Sequence, residues 1–151
     1  VAERKAGPQL VWDQPDGWEK GQGSAMRIAS FKLEDGTECY MMRAGGDLAA
    51  NVNRWRTQMG LEDASAEELA ALPSRRVLGG FPASVVQLEG TFTGMGGGAG
   101  QENSRMLGLI MPVPSTGLSL FVKMVGPQDA VAANEQKFYA FCDSLRMEIP
   151  E

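Results

Sequence analysis

The chain has 151 residues and no histidine. That absence removes the commonest proton shuttle and the commonest metal ligand, and it excludes Ser-His and Cys-His nucleophile pairs. Cysteine is scarce: Cys39 and Cys142 are the only two, too far apart in sequence for a zinc motif. They permit either one disulfide, closing a loop of about 100 residues worth at most roughly 4–5 kcal/mol, or two buried thiols acting as small hydrophobes. Long apolar runs are missing as well. The longest are strand-sized and interrupted by Gly or Pro, short of the roughly 20 residues a membrane-spanning helix needs. Positive charge is in deficit, with a formal net charge of -5, so no global field favours nucleic acid or an anionic membrane, and nucleic acid is not expected as a partner.

What is present is ordinary for a folded domain: 43% hydrophobic and 22% charged residues, far from the composition of disorder, at a length that buries a core without staples. We expect a single globular domain over residues 10–147, with residues 1–9 a disordered or cropped segment and 148–151 a tail. Val1 opens a polar stretch without an apolar signal core, so an export signal or lipid anchor, if the protein carries one, would precede it.

The expected elements run as follows. Leu10 to Gln14 is extended and ends at Pro15-Asp16-Gly17, residue types that suit a turn. Ala25–Leu33 and Thr37–Arg43 flank Glu34-Asp35-Gly36, a hairpin signal. The period then changes to 3.6 over Asp47 to Gly60, with Leu48, Val52, Trp55 and Met59 as the apolar stripe, Asp47 as N-cap and Gly60 as stop. Ser65 and Glu68 have capping-box spacing, and Pro73 ends that shorter helix. Val85–Phe92 alternates, with Val86, Leu88 and Phe92 on one face. Arg105–Met111 and Leu118–Val125 read as two more strands, the latter with Leu118, Leu120, Val122 and Met124 inward. Gly126-Pro127 opens a terminal helix reaching about Met147, striped by Val131, Phe138, Phe141, Cys142 and Leu145. This order indicates an α+β fold with a mainly antiparallel sheet.

Several motifs are structural on this reading. The glycine-rich run Gly94–Gly100 contains dinucleotide-fingerprint letters, but a strand follows it where that motif needs a helix N-terminus, so it reads as a hairpin loop. Glu34-Asp35 and Glu67-Glu68 stand where a turn and a helix start favour acids. The nine methionines are scattered at core-phase positions and read as packing rather than a soft-metal site. No cofactor or metal site is expected. The segment with the most chemistry is DLAANVNRWRTQMG, where Asn51, Arg54 and Gln58 fall on one edge of the helix and Arg56 borders the other side. Either Trp55 anchors the helix while the Arg stems cover its ring and the amides face water, or this edge, with Arg75 and Arg76 nearby, recognises a protein or small anionic ligand.

VWDQPDGW, the hairpin MRIASFKLEDGTECYMMR with the helix after it, the later strands, and the terminal EQKFYAFCDSLRM together resemble the Mog1/PsbP-like superfamily over nearly the whole chain. The resemblance implies an α/β/α sandwich around an antiparallel sheet. Members of that superfamily include extrinsic photosystem subunits, a partner of a small nuclear GTPase and bacterial envelope lipoproteins, so it implies a non-enzymatic accessory or binding role. Neither the Arg-Trp-Arg helix nor the glycine-rich loop matches a site of that family. The expectation is therefore a non-catalytic accessory or binding domain of the bacterial cell envelope, periplasmic or envelope-associated, with a cytoplasmic location as the alternative. The competing readings are a structural domain of a larger envelope protein and a small enzyme using carboxylates or a Cys39 thiolate.

Overall fold

A computed structural model describes residues 9–21, 27–93, 100–113 and 116–148. In chain order the elements are β1 (Gln9–Val11), β2 (Glu19–Lys20), β3 (Arg27–Lys32), β4 (Glu38–Gly45), α1 (Leu48–Gln58), α2 (Ala66–Ala70), β5 (Ser74–Val77), β6 (Phe81–Phe92), β7 (Gln101–Val113), β8 (Leu118–Pro127), α3 (Gln128–Ala133), α4 (Glu135–Ser144) and β9 (Arg146–Glu148). Seven strands form one antiparallel sheet in the order β2-β3-β4-β8-β7-β6-β5, and β1 pairs with β9 in a separate ribbon. Helices cover both faces, so the architecture is the expected α/β/α sandwich.

Each face of the sheet has its own core. Beneath α3 and α4 lie Cys39, Met41, Leu107, Leu109, Val122 and Met124, met by Val131, Phe138, Phe141 and Leu145. Trp18, Phe31 and Phe141 close this layer with ring centroids 5.4–5.6 Å apart, within the range where tilted and edge-on aromatic pairs attract. On the other face Val52, Trp55 and Met59 of α1 pack on Val86, Leu88, Met106, Ile110, Phe121 and Val125, with Leu69 and Leu72 from the α2 region at the margin. Glycine lets α1 approach: a Cβ at Gly108 would lie 2.1 Å from the Trp55 ring, and one at Gly90 would lie 2.3 Å from the Met59 carbonyl oxygen.

Local signals behave as their chemistry dictates. The Asp47 carboxylate accepts from the Ala50 amide at 2.8 Å, Gly60 leaves α1 at φ 71°, and Ser65 and Glu68 form a reciprocal capping box. The β3–β4 hairpin turns through Glu34–Gly36 with Asp35 at φ 55°. Val86, Leu88 and Phe92 share a core face.

Three expectations change. The terminal helix is two helices, α3 and α4, broken at Asn134, whose side chain accepts from Trp18 Nε1 and donates to Glu34 and to the Ala130 carbonyl. The chain after α4 becomes β9, so Gln9 and Glu148, placed outside the domain on the sequence reading, pair with each other. Strand β8 has no solvent face: Phe121, Lys123 and Val125 are as buried as Leu120, Val122 and Met124, while Leu118 is exposed. Of the two alternatives open for the cysteines, the structure takes the second: Cys39 and Cys142 are free, fully buried thiols. The expected loop at 94–99 lies outside the described residues, although its flanks pair antiparallel, Phe92 opposite Gln101.

Candidate functional site

The edge of α1 meets the sheet at a lysine that the sequence reading did not single out. Lys123 stands in β8 between Tyr40 of β4 and Gly108 of β7 and is only 3% exposed. Its ammonium donates to the Gln58 side-chain carbonyl at the end of α1. The same nitrogen lies 5.3 Å from the Trp55 ring centroid and 5.8 Å from that of Tyr40, near enough for both ring faces to offset part of its lost hydration. None of the ion pairs among the described residues involves Lys123.

A buried cation without a carboxylate is electrostatically costly. Burial first, then the charges of Arg27 and Arg54, push the Lys123 ammonium down from 10.5 to about 8. Arg27 stacks on the Tyr40 ring at 3.9 Å, donates to Ser30, and reaches Glu38 at 3.8 Å. Arg54 is exposed and makes no ion pair within 4 Å among the described residues. Lys123 and Arg27 thus share the Tyr40 ring, Arg54 adds a third positive charge that acts on Lys123, and Glu38 pairs with Arg27, in a chain whose net charge is -5. The clue to Lys123 was in β8 itself: SLFVKMV is apolar at both parities, so neither face of the strand is wet and a lysine inside it must be buried.

The other expected site residues are distributed differently from the sequence reading. Asn51 is not on a solvent edge; it is 0% exposed, and its amide nitrogen donates to the carbonyls of Gly46 and Asp47, tying α1 to the preceding turn. Arg56 donates to the Glu62 carbonyl and pairs with Glu68 at 3.8 Å, fixing the α1–α2 connection. Arg75 lies across the sheet from the α1 edge. It forms a two-point ion pair with Asp143 of α4 at 2.6 and 2.8 Å and lies over the Tyr139 ring. Arg76 is exposed and donates to the Gly80 carbonyl in its own hairpin. Of the six expected residues, Arg54 and Gln58 therefore belong to the Lys123 cluster.

Neither thiol is placed for chemistry. Burial holds Cys39 and Cys142 well above the ordinary thiol range, so the nucleophilic thiolate is suppressed. Among the described residues no group of three or more His, Cys, Asp or Glu side chains is arranged to hold a metal, and no helix is long and apolar enough to cross a membrane.

The layered architecture and its helix placement define a Mog1/PsbP-like fold. Two solved structures share it. LpqN of Mycobacterium tuberculosis, described as involved in cell envelope biogenesis, is 18% identical, with 98% of this chain and 87% of that one covered at a TM-score of 0.50. Cyanobacterial PsbP (CyanoP) of Synechocystis sp. PCC 6803 is 11% identical over 95% of this chain and 94% of that one, also at 0.50. At these identities the likeness is one of fold. No family model and no curated protein matches the sequence.

Proposed function

We propose that this chain is a non-catalytic accessory or binding domain of the bacterial cell envelope, which holds an anionic group of a protein partner or small ligand against Arg27 and Arg54. One observation carries the reading: a buried Lys123 without a carboxylate partner, with the charges of Arg27 and Arg54 acting on it, concentrates positive potential beneath α1 in an otherwise acidic molecule. An anion seated there would relieve the mutual repulsion of the three cations, with the arginine forks as donors. The fold shared with LpqN supports the envelope setting, and an export or lipid-attachment segment ahead of Val1 belongs to the same reading. The buried state of both thiols supports a binding role over a thiol-dependent enzyme.

Titration with inorganic phosphate, followed by NMR of the Lys123 side chain, tests it. Phosphate binding should raise the Lys123 pKa, because a ligand that favours the charged form must shift its titration reciprocally. Arg54→Glu should abolish the effect and leave the melting temperature nearly unchanged. A Lys123 titration indifferent to phosphate, or an Arg54→Glu protein that binds as before, would rule the site out.

A further inference from the structure

The α4 face of the sheet carries a feature that the Lys123 cluster does not use. At the end of the sheet remote from the β3–β4 turn, Leu10 and Met147 of the β1–β9 ribbon stand over the strands. Between ribbon and sheet is a cavity of about 240 Å³. Its roof is the cross-strand pair Leu10 and Met147. Its floor is one row across three strands, Arg43, Leu120 and Met111, which are direct neighbours in register. Its side wall is Leu78 and Phe81 from the β5–β6 hairpin.

Two independent observations mark this space as more than a packing gap. Leu78 sits at φ 51°, a left-handed conformation that a branched aliphatic residue rarely adopts. There it stays packed against the core cluster beside the cavity, although Gly79 and Gly80 follow directly. The large apolar side chains that remain exposed among the described residues, Phe81 at 45%, Leu118 at 40% and Met147 at 52%, also gather at this end. Phe81 and Met147 line the cavity, and Leu118 is paired with Gly45 and Val113 beside it. Exposed apolar side chains concentrated around a concavity are a recurrent sign of an apolar ligand.

The chemistry of the lining narrows the occupant. Arg43 is the only charged residue among those that line the cavity, it is exposed, and it has no carboxylate within 4 Å among the described residues. A peptide would bring amide groups that need partners, and this lining has few to give. The volume lies below the roughly 300–1,000 Å³ of pockets for drug-sized molecules and above the roughly 150 Å³ that takes a single benzene ring. A medium-length hydrocarbon chain is of a size to fit it.

We propose that this cavity binds a single-chain amphiphile with one anionic head, a medium-chain fatty acid anion, its hydrocarbon between the β1–β9 ribbon and the sheet and its carboxylate on Arg43. The site is separate from the Lys123 cluster beneath α1 and stands or falls independently of it.

Titration calorimetry with decanoate, octanoate and decan-1-ol at neutral pH, with methionine-methyl NMR on the same samples, provides the test. Decanoate should bind with one-to-one stoichiometry and shift the Met111 and Met147 methyl signals while leaving Met59 and Met106, on the opposite face, unmoved. Octanoate should bind roughly tenfold more weakly, the loss expected for two methylenes. Arg43→Gln, an exposed change that leaves the fold intact, should weaken decanoate about threefold to tenfold and leave decan-1-ol unaffected. Equal binding of decanoate and the alcohol to the wild-type protein would overturn the assignment of Arg43 as the head-group residue. Absence of decanoate binding, or a concentration-dependent dimer that buries Phe81 and Met147 in its place, would overturn the proposal as a whole.

Discussion

The Trp55 indole lies directly on Gly108: a methyl group at that position would come within 2.1 Å of ring carbon Cζ3. The glycine is a recess in the sheet that sets the height of α1, and Trp55 is the peg that fills it, with its edge against Phe121 at 5.4 Å. Gly108→Ala should destabilise the protein by about 1–3 kcal/mol, the usual cost of overpacking, despite alanine's smaller loss of backbone entropy on folding. In a Trp55→Leu background the same change should cost much less, so a double-mutant cycle by urea denaturation would show coupling of at least about 1 kcal/mol. Additive effects would mean that the ring does not rest on that glycine.

Lys123 gives a pH dependence of definite sign. Its folded pKa, about 8, lies below its ordinary value of 10.5, a difference equivalent to roughly 3 kcal/mol. Between those values the unfolded chain binds the proton and the folded chain does not, so this group makes stability rise with pH across that window; below 8 its penalty is present in full. Tyr40 and the two cysteines, all raised, act in the opposite direction at alkaline pH, so the comparison must be differential. Lys123→Met should stabilise the protein by about 1–3 kcal/mol at pH 7, and that advantage should shrink by pH 9.5. An advantage that stays constant with pH would show that the amine is not desolvated.

Cys39 and Cys142 should be silent to a thiol reagent such as DTNB in the native protein at pH 8 and react at once in denaturant. Their native reaction rate should follow global unfolding, because both are fully buried and raised. A rapid native reaction of Cys39 would revive the thiol-enzyme reading that the burial argues against.

Asn134 joins three parts of the chain: it accepts from Trp18, donates to Glu34 on the β3–β4 turn, and donates within α3. Asn134→Ala should cost about 2–3 kcal/mol, since Trp18 Nε1 is left buried without an acceptor. The emission of Trp18 should also shift, which a purely helical effect at the α3–α4 break would not produce.

Local chemistry made much of this fold legible in the sequence. Asp-Gly at the first hairpin, Asp47 and Ser65 as caps, and the alternation of Val86 and Leu88 each act within a few residues and survive folding unchanged. Most of what the sequence does not show depends on contacts distant along it. The helix stripe from Val131 to Leu145 is continuous as a pattern, yet Asn134 breaks it because its side chain finds Trp18, 116 residues away. A helical wheel puts Asn51 on a wet edge because it cannot show that the side-chain amide donates back to the Gly46 and Asp47 carbonyls. Arg75 and Arg54 are close along the chain, yet the sheet separates them. Lys123 escapes a search for alternation because SLFVKMV is buried on both sides and has no wet face.

The β1–β9 ribbon has a mechanical consequence. Gln9 and Glu148 face each other at its outer end, so tension applied through those two residues would load its hydrogen bonds one after another, as in opening a zipper. The long ladders from β6 to β8 would carry no comparable peeling load. Such a molecule would yield first at this short ribbon, and a pull at the chain's two flanks would uncover the Leu10–Met147 roof while the seven-stranded sheet remained whole.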